Sequence, residues 1–212
     1  MIYEMGGIYM DVPVDTWSIF AIIGTISFAL QGGLIAMEKK YDIFAVYFFG
    51  LLTSFGGGLL RNVIMGGSDY ELWNQQTLFT VAMISITLVI IFPHPIVKRE
   101  IFLTNILDAF GVVSFAIQGS LTAINLGLPA SAVVVSAIAT ATGGGIIRDL
   151  LSQRKPIILE QNIYGLWIFL IGFIMGVFKE SAIPYQYILF SVFSALHIIS
   201  FIYNWRIPYR KY

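Results

Sequence analysis

The sequence predicts an all-α integral membrane protein, with seven transmembrane helices arranged as two inverted three-helix repeats plus one extra helix. Three observations predict it. Hydrophobic residues make up 58% of the 212 and charged residues 11%, at a mean hydropathy of +0.83, which leaves too little polar material to clothe a soluble globule. The polar and glycine punctuation of the first half recurs about 87 positions further on. Basic residues alternate from loop to loop, as they do in a chain crossing a bilayer back and forth.

Apolar runs of roughly 17 to 25 residues span hydrocarbon as helices. They are expected at Thr16 to Met37, Asp42 to Met65 and Gln76 to Phe92, which form repeat one over 16–92. Thr104 to Asn125, Pro129 to Leu151 and Asn162 to Phe178 form repeat two over 104–178, and Pro184 to Tyr203 is an added seventh span, 184–203. These runs are continuous, unlike the alternating segments of a membrane barrel. The N-terminus lacks the basic stretch of a cleaved signal, so the first span is expected to be retained. No soluble domain or linker interrupts 1–212, which is expected to be a single transmembrane domain.

Lys39 and Lys40 follow span one, Lys98 and Arg99 span three, Arg154 and Lys155 span five, and Arg206, Arg210 and Lys211 span seven. The opposite loops hold only Lys179 and instead carry Glu4, Asp11, Asp15, Asp69 and Glu71. The positive-inside rule then puts the N-terminus outside and the C-terminus in the cytoplasm. Each repeat has three spans, an odd number, so the second copy enters the membrane from the side opposite the first. The halves are inverted, as in many transport folds.

What repeats is the material a bilayer makes expensive. Gly24, Ser27, Phe28, Ala29, Gln31 and Gly32 recur as Gly111, Ser114, Phe115, Ala116, Gln118 and Gly119. Thr53, Gly56, Gly57, Gly58 and Arg61 recur as Thr140, Gly143, Gly144, Gly145 and Arg148. Each glycine weakens a helix by about 1 kcal/mol relative to alanine, so the triplets are expected to kink or unwind spans two and five and to free carbonyls at membrane depth. The competing reading is that they let helices pack closely. Thr53, Gly57 and Arg61 are four apart on one face, as are Thr140, Gly144 and Arg148. Broken helices at matching positions of inverted halves point to a binding or conduction site. The triplets lack the lysine and hydroxyl residue of a phosphate-binding loop.

Arg61 and Arg148 are the basic residues that loops do not account for. An intramembrane arginine costs at least about 2.5 kcal/mol, so each is expected to face a wet cavity or a partner, with snorkelling to the interface as the alternative. Asp149 and Asp108 are the candidate partners of Arg148, and Asp15 that of Arg61. The copy of Asp149 is Asn62, so the half-sites differ in charge. The stripe of Gly24, Ser27 and Gln31, with its copy at Gly111, Ser114 and Gln118, is expected to form interhelical hydrogen bonds, with pore lining or subunit contact as alternatives. Gly32 with Ala36, and Gly119 with Ala123, permit close approach of a helix from this chain or another protomer.

Other chemistry is sparse. Cysteine is absent, which removes disulfides and thiolate sites. His94 lies between two prolines and His197 is alone in span seven, so no metal site is expected. No nucleophile, base and orienting group cluster as in an enzyme, and no cofactor or nucleic-acid partner is expected.

The segments GTISFALQGG with FGGGLLRN, and GVVSFAIQGS with TGGGIIRD, resemble the prokaryotic branch of the TRIC family, the trimeric intracellular cation channels, also grouped under a name suggesting glycine transport. The resemblance runs from about Thr16 to Tyr203. It implies a homotrimer among membrane lipids with one pore per protomer between kinked spans two and five, passing monovalent cations, mainly potassium with weak selectivity against sodium, past the glycine triplets and Arg61 and Arg148. Animal members carry a basic C-terminal tail and lysine-rich motifs that bind a phosphoinositide; this chain ends soon after span seven, which argues for a prokaryotic plasma membrane without that lipid gating. The alternative is a secondary transporter of a small zwitterion such as glycine, whose carboxylate an arginine would receive.

Overall fold

The computed structural model describes residues 14–66, 75–92, 100–160 and 163–205. Among the described residues seven long helices are present: α1 (Val14–Glu38), α2 (Ile43–Met65), α3 (Gln76–Ile91), α4 (Glu100–Asn125), α5 (Ala130–Leu151), α6 (Tyr164–Phe178) and α7 (Gln186–Ile202). A one-turn helix, Ile157–Glu160, follows α5, and a 3₁₀ segment, Lys179–Tyr185, joins α6 to α7. Pro184 falls inside that 3₁₀ segment, so α7 starts at Gln186, slightly later than the hydropathy suggests. No strand occurs among the described residues.

The repeat is written into the helix ends. α2 begins at Asp42, whose carboxylate accepts from the Ala45 N–H at 2.8 Å. α1 stops with Lys40 at φ 57° and α4 with Gly127 at φ 68°, while α2 stops with Gly66 at φ 68° and, beyond α5, Gln153 has φ 56°. Each pair is one repeat apart. Tyr41 N–H returns to Ala36 C=O as Leu128 N–H does to Ala123 C=O, both at 3.1 Å. These left-handed stops satisfy carbonyls that lipid would leave bare, and lysine and glutamine occupy a conformation that glycine takes at less cost.

Inversion follows from the chain path. Glu38 at the end of α1 pairs with Arg154 just beyond α5, so those two C-terminal ends share one face of the molecule. The short α4–α5 turn then sends α4 the opposite way from α1. The third helix of each repeat is short, 16 residues in α3 and 15 in α6.

α1 and α4 are the central helices, 72% and 78% buried over their apolar windows, whereas α2 and α5 leave half or more of theirs facing outward. The aromatic pair Phe28 and Phe115 meets edge to face at the centre, ring centroids 5.1 Å apart. Gly24 makes room for the Phe115 ring and Gly111 for the Phe28 ring, a reciprocal contact. One apolar cluster, including Ala29, Val46, Phe49 and Ile86, ties α3 to α1 and α2. A larger one, including Val113, Ala137, Ile168 and Phe193, binds α4 through α7.

Candidate functional site

The most extensive helix pairing is between α2 and α5, and the glycine triplets form its crossing. A Cβ on Gly57 would strike the Thr140 carbonyl, and one on Gly144 the Thr53 carbonyl. A Cβ on Gly56 would lie 3.1 Å from Gly144 Cα, and one on Gly143 3.0 Å from Gly57 Cα. Two main chains therefore touch, which only glycine allows.

The unwound segment expected at each triplet is not formed, since both helices stay α-helical through 56–58 and 143–145. Close packing against another main chain holds the glycines helical, because it recovers in dispersion what their flexibility costs. The third glycines differ. Nothing lies within 4 Å of a Cβ on Gly58, and only Arg148 Nη2, at 3.6 Å, approaches one on Gly145.

Thr53 and Thr140 are buried at the crossing, and each hydroxyl donates to its own helix, to Phe49 C=O at 2.6 Å and Ser136 C=O at 2.7 Å. Gly32 and Gly119 sit against these same turns, Gly32 beside Phe49 and Thr53, Gly119 beside Ser136 and Thr140. Their small-residue faces thus meet helices of the same chain.

Arg61 and Arg148 are 4% and 1% exposed, which rules out snorkelling as the resting place of either. Arg61 donates from Nε and Nη2 to Asn62 Oδ1, at 3.1 and 2.9 Å, and from Nη1 to Thr122 Oγ1 at 3.3 Å. Arg148 grips Asp149 Oδ1 through Nε and Nη2, both at 2.8 Å, and its Nη1 donates to Gln31 Oε1. Each arginine pairs with its own next residue and with the first helix of the other repeat. The side chain of Asp15, the expected partner of Arg61, lies outside the described residues, as do Asp69, Glu71, His94, Lys98, Arg99, Arg206, Arg210 and Lys211.

Asp108 reaches Arg148 through Gln31, not directly. The Gln31 amide donates to Asp108 Oδ1 at 2.8 Å and to Thr104 C=O at 3.2 Å while its oxygen accepts from Arg148. Asp149 Oδ2 accepts from the Ile157 N–H at 3.2 Å and so fixes the one-turn helix. The end bearing Lys39, Lys40, Arg154 and Lys155 thus holds a buried charged cluster.

Toward the opposite end a small polar pocket is lined by Thr25, Ser54, Gly58, Arg61, Gln118 and Thr140, with Gln75 and Leu78 at the start of α3. The second-repeat counterparts of Thr25 and Ser54 are Val112 and Ala141, so these two polar lining residues are not repeated. Thr25, Ser54 and Gln75 escaped sequence reasoning because none of them repeats; departures from the repeat were the available signal. Ser27 and Ser114 are buried at the α1–α4 core, and the Ser114 hydroxyl has no partner.

Similarity to known proteins agrees with this geometry. A family model described as "Glycine transporter" matches twice, at residues 18–94 and 105–180. The chain is 43% identical to the UPF0126 membrane protein YvgT of Bacillus subtilis, over 92% of this chain and 97% of that one. A crystal structure of a prokaryotic TRIC channel in 0.5 M KCl superposes with a TM-score of 0.80 at 28% identity, covering 90% of this chain and 98% of the other. A second structure, solved for the basis of conductance through TRIC cation channels, gives 0.79 at 26% identity, covering 92% and 97%.

Proposed function

We infer the function from one premise: the chain belongs to the Glycine transporter family of membrane proteins and to its UPF0126 relatives. We propose that it is a monovalent cation channel, potassium being the chief permeant ion, with a pore in each protomer along the α2–α5 crossing. The observation that carries this reading is the polar pocket beside that crossing, which Gly58 and Thr140 line. Hydroxyls of Thr25 and Ser54, the Gln118 amide and main-chain oxygens offer a cation partial replacement for its water. The threonine hydroxyl protons at 53 and 140 are committed to their own helices, which leaves their oxygens able to accept.

Both arginines are gripped by neighbours, Arg61 at the pocket wall and Arg148 in the cluster, and their part is to hold the crossing and the barrier closed. In the resting arrangement the cluster around Arg148 blocks the end opposite the pocket. The TRIC likeness supports a homotrimer in a prokaryotic plasma membrane, and the basic loops favour the N-terminus outside and the cluster toward the cytoplasm. Exposed apolar side chains such as Phe44, Phe48 and Val63 on α2 suit contact with lipid or neighbouring protomers.

A second reading, alternating-access transport of a small zwitterion, draws on Arg61 at the pocket wall, which suits a carboxylate. Purified protein in planar bilayers under a potassium gradient separates the two. Unitary currents reversing near the potassium potential support the channel. Silent bilayers with saturable glycine uptake into liposomes overturn it.

A further inference from the structure

α7 has no counterpart in the repeat, yet it places a histidine inside the charged cluster. His197 is 3% exposed, with Nε2 3.8 Å from Asp108 Oδ2, and its Nδ1 has no hydrogen-bond partner. The Tyr164 ring of α6 packs edge-on against the imidazole at 4.9 Å, and Tyr164 also adjoins Asp108. The other charged groups of this region are Arg148 and Asp149 on α5, reached through Gln31 of α1. Lys179, Glu180 and Tyr185 of the 3₁₀ segment lie at the far, N-terminal end of α7.

We propose that His197 is a proton-binding site that sets the charge of the barrier, and that protonation from the Lys39/Arg154 side lowers cation passage. The conductance part rests on the channel reading. One guanidinium, Arg148, stands among two carboxylates, Asp108 and Asp149, so the cluster carries one net negative charge while His197 is neutral and none once it is protonated. The negative state offsets the repulsion a cation meets at Arg148. The protonated ring also draws Asp108 Oδ2 into an ion pair, fastening α7 to α4.

Geometry favours this partner over chance burial. Asp108 Oδ1 accepts from Gln31 while Oδ2 faces the ring, and Tyr164 adjoins the same carboxylate. The repeat counterpart of Asp108 is Ala21, so the opposite end has no equivalent carboxylate at that position. For an ion passing ~8 Å from the ring, one unit of charge changes its occupancy by about twofold in a water-like environment and about thirtyfold at an effective dielectric near 20.

The test uses full-length protein with His94→Gln, which leaves His197 as its single imidazole. Imidazole NMR in nanodiscs between pH 5 and 8.5 should show that ring titrating, and potassium currents should fall at least about twofold as the pH on the basic-loop side drops through the same range. His197→Gln and Asp108→Asn should each flatten the current profile. A ring that does not titrate in this range overturns the proposal, even if neither further variant folds. So does a flat profile in the parent, or a pH dependence that survives His197→Gln. Silent bilayers sink the channel reading and the conductance claim with it, while the proton site stands or falls on the NMR titration.

Discussion

Replacing Gly57 by alanine tests whether the triplets exist for main-chain contact. Alanine favours the helix by about 1 kcal/mol over glycine. The new methyl, however, would strike the Thr140 carbonyl oxygen and stand 2.9 Å from its carbon, groups with no rotamer to escape into. Overpacking of a tight site costs about 1–3 kcal/mol, and a struck main chain puts this case at the upper end, so Gly57→Ala should lose about 2 kcal/mol net. Gly144→Ala should lose as much, through Thr53. Gly58→Ala meets nothing within 4 Å and should be neutral or stabilising by up to about 1 kcal/mol. The double variant at 57 and 144 should cost less than the sum, because moving α2 off α5 relieves both clashes at once. Denaturation midpoints of the purified proteins in one detergent measure all four. Equal stability of the Gly57 and Gly58 variants would refute the packing argument, and strict additivity would refute the shared crossing.

Three further outcomes are expected. Asp149→Ala leaves Arg148 buried without its carboxylate and should cost about 3–5 kcal/mol, while Asp149→Asn should recover part of this, since Asn62 grips Arg61 through the same two nitrogens; unfolding midpoints decide. Converting Thr25 or Ser54 to valine should reduce unitary conductance severalfold with little change in stability, and unchanged currents would remove the pocket from the pathway. Glu38→Gln breaks a pair whose side chains are 42% and 28% exposed, so its cost should stay below about 1 kcal/mol, a bound that a larger midpoint shift would exceed.

How much of this was legible beforehand depends on whether a feature repeats. Span positions, inversion and the polar punctuation were readable because hydropathy and charge alternation act over whole helices, and the structure keeps helix ends within a few residues. In sequence the triplets point to a kink or to close packing without deciding between them, because glycine's helical cost is local, whereas the carbonyls of Thr140 and Thr53 that fill the vacated space come from another helix. Gln31 was seen as a packing amide. That it bridges Arg148 to Asp108 requires knowing that α1 lies between α4 and α5 at that depth. His197 was set aside for lack of a neighbour in sequence, and its neighbour is Asp108 on α4.

The departures from symmetry explain why one crossing has two unlike ends. The crossing itself is built of main chain, glycine and threonine, which both repeats supply equally, so its geometry is reciprocal. Side chains one or two turns away are free to differ. At one end Thr25 and Ser54 keep a polar wall and a pocket, where the other repeat has Val112 and Ala141. At the other end Asp108 and Asp149 stand where the first repeat has Ala21 and Asn62, and Gln31 joins Asp108 to Arg148. Arg148 can stay buried there because Asp149 pairs with it directly and Gln31 links it to Asp108. On the channel reading proposed above, polar residues at both ends alike would leave no barrier, and asymmetric substitution on a symmetric crossing separates the route from its closure. Val112→Thr with Ala141→Ser should then raise potassium currents in planar bilayers, and unchanged currents would refute that reasoning.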